Sequence, residues 1–246
     1  MGNHWSSISS DPNDIEVRKV RAERISRAID WSPVDRIDFI RRAVRGKRVL
    51  DIGCVAHFSA SEKDDIWLHK HLAESASYCL GVDILEGDVQ NLKAEGYNVI
   101  CHNLIEGPLG DLFDIIVCGE VIEHIENFGG FLENCKASLA DAGLLVVTTP
   151  YPWFLGSVIR NLIKHPFATG SVDHVSWQEP ATLVELAERH GMKVTKVVGL
   201  IPEKNQRGSS ATELFYDVVR KGWLPRVSTF CGCRSLLYLL EHDDIT

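Results

Sequence analysis

The chain has 246 residues, 45% hydrophobic and 24% charged, a balance that excludes a disordered segment and suits one large domain with a full core. A formal net charge of −8 disfavours binding to nucleic acid through phosphate neutralisation. Seven scattered cysteines, several inside apolar runs, and an N-terminus without a secretory signal predict buried thiols in a reducing cytoplasm, and no apolar run reaches transmembrane length.

The opening MGNHWSSISSDP is polar and turn-forming and reads as a lead-in. Ile15, Val20, Ala22, Ile25 and Ile29 recur at roughly helical spacing. A second helix is expected after Ser32-Pro33, with proline in its first turn, running to about Val44. Residues 1–46 therefore read as a helical cap, and its basic stretches (Arg18 to Arg27, Arg41 and Arg42) as solvated helix faces. Apolar runs then follow at Arg48–Ile52, Tyr78–Val82, Asn98–Cys101, Asp114–Cys118 and Gly143–Thr149. Helical stretches Asp65–Ser75, Asp88–Glu95 and Phe128–Leu139 separate them. This alternation predicts an α/β fold, a doubly wound sheet covered on both faces. The apolar stretch Tyr151 to Ile163 reads as a lid or core helix. Past Pro180 come another amphipathic helix, a strand Lys193–Ile201, a helix near Thr212–Arg220 and a last strand Ser235–Leu240. The total is seven strands, mostly parallel. Residues 47–246 form the main domain, with insertions near 151–180 and 203–233 that cover a substrate. Cys231-Gly-Cys233 is too short a pair to specify zinc and reads as structural.

In doubly wound sheets, ligands bind beyond the carboxyl ends of the strands. The first apolar strand ends Asp51-Ile52-Gly53-Cys54 and the second Gly81-Val82-Asp83. Asp51 suits a cofactor with a cationic amino group, Gly53 a backbone that passes close to it, and Asp83 a pair of ribose hydroxyls. Taken singly, each acid reads as a helix cap; at the ends of consecutive strands they favour a ligand. A nicotinamide enzyme would need G-x-G-x-x-G after the first strand, and Gly53-Cys54-Val55 does not supply it.

The stretches VLDIGC at 49–54, GVDI at 81–84, FDIIVCGEVIEHIEN at 113–127, LADAGLLVVTTP at 139–150 and HVSWQEPATLVELAERHGMKV at 174–194 resemble the class I S-adenosylmethionine-dependent methyltransferases, in the style of small-molecule and saccharide enzymes with a GEVIEH segment. The resemblance implies a Rossmann-like domain with S-adenosyl-L-methionine as cofactor. It also implies that Asp83 and Ile84 sit at the ribose, Asn103 and Leu104 at the adenine, and Gly119 and Glu120 at the methionine end. The chain departs from the family where Gly-x-Gly-x-Gly usually stands: Cys54, Val55, Ala56 and His57 follow Gly53. The contacts there are expected to be redrawn, with His57 or Phe58 near the methionine moiety.

Methyl transfer to a hydroxyl needs close placement and a base. Glu120, Glu123 and His124 lie within five residues just past the fourth strand, and His174 lies beyond the fifth. Three roles compete: His124 or His174 as base, with Glu120 beside them; Glu120, Glu123, His124 and His174 as ligands of Mg²⁺ or a similar ion, as ExxEH segments serve in some quinone-forming and RNA-end methyltransferases; or helix capping. Trp153, Phe154, Trp177 and Trp223 read equally as lid aromatics or as packing. The expected activity is O-methylation of a small molecule or saccharide, in a cytoplasmic protein that a homodimer would suit. The rivals are a cofactor-binding pseudo-enzyme, motivated by the altered loop, and a metal-dependent RNA-end methyltransferase, which the acidic charge opposes.

Overall fold

The computed structural model describes residues 4–55, 66–162, 172–201 and 229–243. The apolar runs become strands because both of their faces are covered by helices, so hydrophobicity is continuous along them. In chain order the elements are α1 (Ile15–Ala28), β1 (Ile29–Val34), α2 (Arg36–Val44), β2 (Arg48–Ile52), α3 (Leu68–Ser75), β3 (Tyr78–Asp83), α4 (Glu86–Ala94), β4 (Val99–Cys101) and β5 (Phe113–Gly119). They continue with a 3₁₀ turn (Ile122–His124), α5 (Phe128–Ala137), β6 (Leu139–Pro150), α6 (Leu155–Leu162), α7 (Pro180–Arg189), β7 (Met192–Leu200), another 3₁₀ turn (Thr229–Gly232) and β8 (Ser235–His242), and a short 3₁₀ turn (Trp5–Ser7) precedes α1. The expected helix near 212–220 lies outside the described residues.

The strands form one sheet in the order β1-β7-β8-β6-β5-β2-β3-β4. Among the described strands, only β8 runs antiparallel, between β6 and β7. β2 pairs in parallel with β3 on one side and with β5 on the other. Strand order therefore reverses at β2, and the crevice beyond the carboxyl ends of β2, β3 and β5 is the switch point. Alternate residues of a strand enter opposite cores: Leu50 and Ile116 face the layer with Phe131, Leu132 and Leu183, whereas Val49 and Val117 face Ile40, Val44, Leu68 and Leu72 of α2 and α3.

Among the described residues the sheet has eight strands rather than seven, and the difference is β1. The helical spacing through Ile29 and the proline rule both placed helix where an edge strand forms. β1 has one neighbour, β7, and its register breaks between Asp30 and Val34, where Pro33 lacks a donor. Its burial shows no period that a sequence reader could use. The helix after it starts later than expected, at Arg36, because the Asp35 side chain accepts a hydrogen bond from the Asp38 N–H at 2.9 Å. α1 is tied to α7 by Arg21, which pairs with both Glu185 and Glu188, and the 3₁₀ turn Trp5–Ser7 before it by Trp5, whose indole N–H donates to Glu185 at 2.9 Å.

Candidate active site at the switch point

Three strand ends frame the crevice. Asp51 closes β2 with its carboxylate buried, and the His69 Nδ1 lies 2.9 Å from its Oδ2. Gly53 then turns the chain at φ +75°, and a Cβ there would meet Val121 Cγ2 at 2.4 Å, so glycine is required twice over. Its N–H donates to the Val82 carbonyl at 2.9 Å, which holds the loop across the end of β3. Cys54 is buried in a small core with Trp67, Val89, Leu92 and Val99, and burial drives its thiol pKa up, so it is an inert packing group whose backbone borders the crevice. His57 and Phe58 lie outside the described residues.

Asp83 closes β3. Its Oδ2 accepts from the Val55 N–H at 3.0 Å and its Oδ1 from the Leu85 N–H at 3.1 Å. The carboxylate thus stands fixed at the strand end, and Ile84 beside it is 65% exposed, an apolar surface open to a flat ligand. Asn103 spends its side chain locally: Oδ1 accepts from the Ile105 N–H at 3.1 Å and Nδ2 donates to Glu106 at 3.0 Å. Leu104 is buried in the main core.

At the end of β5, a Cβ on Gly119 would lie 3.0 Å from Leu68 and 3.6 Å from the Arg36 guanidinium. Arg36, from the first turn of α2, therefore hangs over this strand end, a placement that no spacing in the chain foretells. Glu120 has φ +59°, the one non-glycine residue in the left-handed region among those described. That turn sends its carboxylate to Ser235, whose hydroxyl donates to Oε2 at 3.2 Å. Glu120 is therefore not part of the group that Glu123, His124 and His174 form, whose ligand atoms lie within 4.8 Å of one another.

His174 reaches this group because its segment is pinned to the 3₁₀ turn. The N–H groups of Val175 and Ser176 donate to the Glu123 carbonyl at 2.9 and 3.2 Å. The His124 and His174 rings meet edge to face at 4.8 Å, and His124 Nδ1 lies 2.9 Å from Asp173 Oδ2. Burial, then the neighbouring His124, holds the His174 pKa below its ordinary value. Trp153 is exposed and donates to Glu179 at 3.4 Å, Phe154 is buried and Trp177 is half-buried. Trp223 lies outside the described residues.

Glu123 is 2% exposed, and the Thr149 hydroxyl donates to its Oε2 at 3.0 Å. Burial, then the charge of Glu120, pushes its pKa from 4.5 up to about 8. The unfolded chain therefore holds fewer protons than the folded one between those values. This group's contribution is intact below about 4.5 and is lost as pH rises through about 8. In chelator-treated protein, Glu123→Gln keeps the bond to Thr149 and is expected to flatten that part of the pH–stability curve. At pH 8.5 it should raise Tm by a few degrees, at about 2–4 °C per kcal/mol for a chain this size. A thermal melt series from pH 4.5 to 8.5 with unchanged slope would refute the assignment.

Residues 17–197 match a family model described as a methyltransferase domain. The ubiquinone biosynthesis O-methyltransferase of Coxiella burnetii is 26% identical over 186 residues, 70% of this chain and 76% of that protein. The mitochondrial enzyme of the same name from Homo sapiens is 24% identical over 171 residues, 63% of this chain and 44% of that one. Among solved structures, an S-adenosylmethionine-dependent methyltransferase from Mesorhizobium loti aligns with a TM-score of 0.54 at 21% identity, covering 82% of this chain and 95% of that one. Magnesium protoporphyrin IX methyltransferase from Synechocystis PCC 6803, solved with bound SAH, gives 0.54 at 15% identity, covering 96% and 98%. These likenesses carry the fold. Among the described residues, no helix is long and apolar enough to cross a membrane.

Proposed function

The chain belongs to the methyltransferase-domain family and is an S-adenosylmethionine-dependent methyltransferase; from that premise we propose that it methylates a hydroxyl oxygen of a small molecule or saccharide, with His124 as the base. The observation that carries this reading is the Asp173–His124–His174 cluster beyond the ends of β5 and β6. A carboxylate only accepts, so the bond to Asp173 fixes the proton on His124 Nδ1 and leaves Nε2 as the acceptor. When bound, S-adenosylmethionine would supply the methyl group from its sulfonium, the C–S bond breaking as the C–O bond forms and a neutral sulfide remaining, while His124 Nε2 would take the hydroxyl proton. The names of the curated relatives support oxygen as the acceptor atom.

In this reading Asp83 takes the ribose hydroxyls and Ile84 covers the adenine. Asn103 and Leu104 border the adenine through their backbone. Gly119 lets the methionine end approach β5, where Arg36 faces its carboxylate and Asp51 its ammonium.

A metal is the second reading, favoured by the approach of Glu123, His124 and His174. One carboxylate and two imidazoles do not fit Mg²⁺, which prefers an all-oxygen octahedron. They do fit a divalent transition ion such as zinc, and the Asp173 bond to His124 is the outer-shell support that such ligands use. The ion would lower the pKa of a bound acceptor hydroxyl.

Calorimetric titration with S-adenosylmethionine and S-adenosylhomocysteine, joined to methyl-transfer assays on phenolic and saccharide hydroxyls with and without chelator, tests both readings. Micromolar binding with chelator-resistant O-methylation is the expected result. Activity lost to chelator and restored by zinc replaces the base reading with the metal one. An acceptor methylated at nitrogen, or no cofactor binding at all, overturns the proposal.

A further inference from the structure

We infer that His69 is a positioning residue for the cofactor, fixing the Asp51 carboxylate at the head of the crevice and thereby setting affinity for the methionine end. This rests on the methyltransferase reading of that crevice. Asp51 and His69 are 2% and 1% exposed, so almost all of the pair is removed from water. A buried carboxylate without a partner costs several kcal/mol. The imidazole meets that need at 2.9 Å, with the proton on Nδ1 because the carboxylate offers no donor.

The ring sits in a slot made for it. Gly81 of β3 is the register partner of Asp51, and a Cβ there would lie 2.6 Å from His69 Cε1, 2.8 Å from Val99 and 2.9 Å from Cys54. This glycine supplies space, not backbone freedom. The rings of Trp67 and Tyr97 close the slot, at 5.5 and 5.7 Å from the imidazole.

The residue that precedes α3 also holds the far side of the loop, since the Trp67 indole N–H donates to the Cys54 carbonyl at 2.8 Å. Both flanks of Gly53 are thus gripped from behind, at Asp51 by His69 and at Cys54 by Trp67. In the stretch where related loops carry glycines, this chain has Val55 and Ala56. A carboxylate already oriented by a fixed donor meets an ammonium without reorganising, which is how outer-shell donors raise affinity.

The test is calorimetric titration of the full chain with S-adenosylhomocysteine. His69→Asn keeps an N–H near the place of Nδ1, whereas His69→Gln moves it away toward the place of Nε2. Binding is expected to stay within about threefold for the asparagine variant and to weaken at least about tenfold for the glutamine variant. In an Asp51→Asn background, itself weakened, His69→Gln should add less than about twofold. Wild-type affinity in His69→Gln, with only Tm reduced, would make His69 a staple and overturn the inference. So would effects that multiply independently in the double variant. Should the glutamine variant not fold, Asp51→Asn decides alone, because unchanged binding leaves His69 nothing to position. Wild-type protein that binds no S-adenosylhomocysteine strikes the methyltransferase reading itself and is distinguishable from all of these.

Discussion

Replacing His124 with alanine is expected to lower kcat/KM by about 10²–10⁴ while leaving S-adenosylhomocysteine affinity within about threefold. The size follows from what the base does in the transition state. An alcohol or phenol becomes a strong nucleophile only as its proton departs, and the bond from His124 Nδ1 to Asp173 Oδ2 leaves Nε2 to receive it. His174 is held edge-on at 4.8 Å, and burial with the nearby His124 lowers its pKa. It therefore stays neutral at pH values where an exposed histidine begins to charge, and adds no second cation beside the imidazolium that forms. Asp173→Asn should cost less, about tenfold, because its amide oxygen still accepts once the group is rotated. Full activity in both His124→Ala and His174→Ala would remove the base from either ring.

Both histidines are visible in the sequence, but their meeting is not. Fifty residues separate them, and the distance is closed by backbone bonds from Val175 and Ser176 to the carbonyl of Glu123, which no spacing rule encodes. Glu120 fails for the opposite reason: proximity in sequence suggested a shared face with Glu123, and one left-handed residue sends it to Ser235. Arg36 and His69 are invisible because helices fold them over strand ends whose residues lie far away in the chain. The sheet itself was legible wherever strands are covered on both faces, since burial then writes an unbroken apolar run. It was illegible at β1, an edge strand containing Pro33 whose burial has no period. Asp51, Gly53 and Asp83 stood out because strand ends are where a doubly wound sheet places a ligand, and the structure sets them at or just past the ends of β2 and β3.

Asp83→Ala is expected to weaken S-adenosylhomocysteine binding by about 10²–10⁴, the largest effect on affinity of any single change here. Each oxygen of this carboxylate already accepts one backbone N–H, from Val55 and from Leu85. A carboxylate has about four lone-pair sites, so the outer pair remains for the two ribose hydroxyls, in a direction that the inner pair fixes. Hydrogen bonds to a charged group contribute about 1.5–3 kcal/mol each, and two of them amount to the stated loss at about 1.4 kcal/mol per tenfold. The alanine variant also releases Val55, so part of the effect should appear as a loosened Gly53–Val55 loop, read by hydrogen exchange without ligand. Asp83→Asn separates the two contributions. Its amide keeps one acceptor but turns an N–H₂ toward either Val55 or Leu85, so it should bind about tenfold more weakly than wild type and exchange faster in the loop. If Asp83→Ala binds the ligand unchanged while the loop loosens, Asp83 is a loop anchor and the ribose lies elsewhere. If affinity falls and the loop stays protected, the carboxylate acts on the ligand alone.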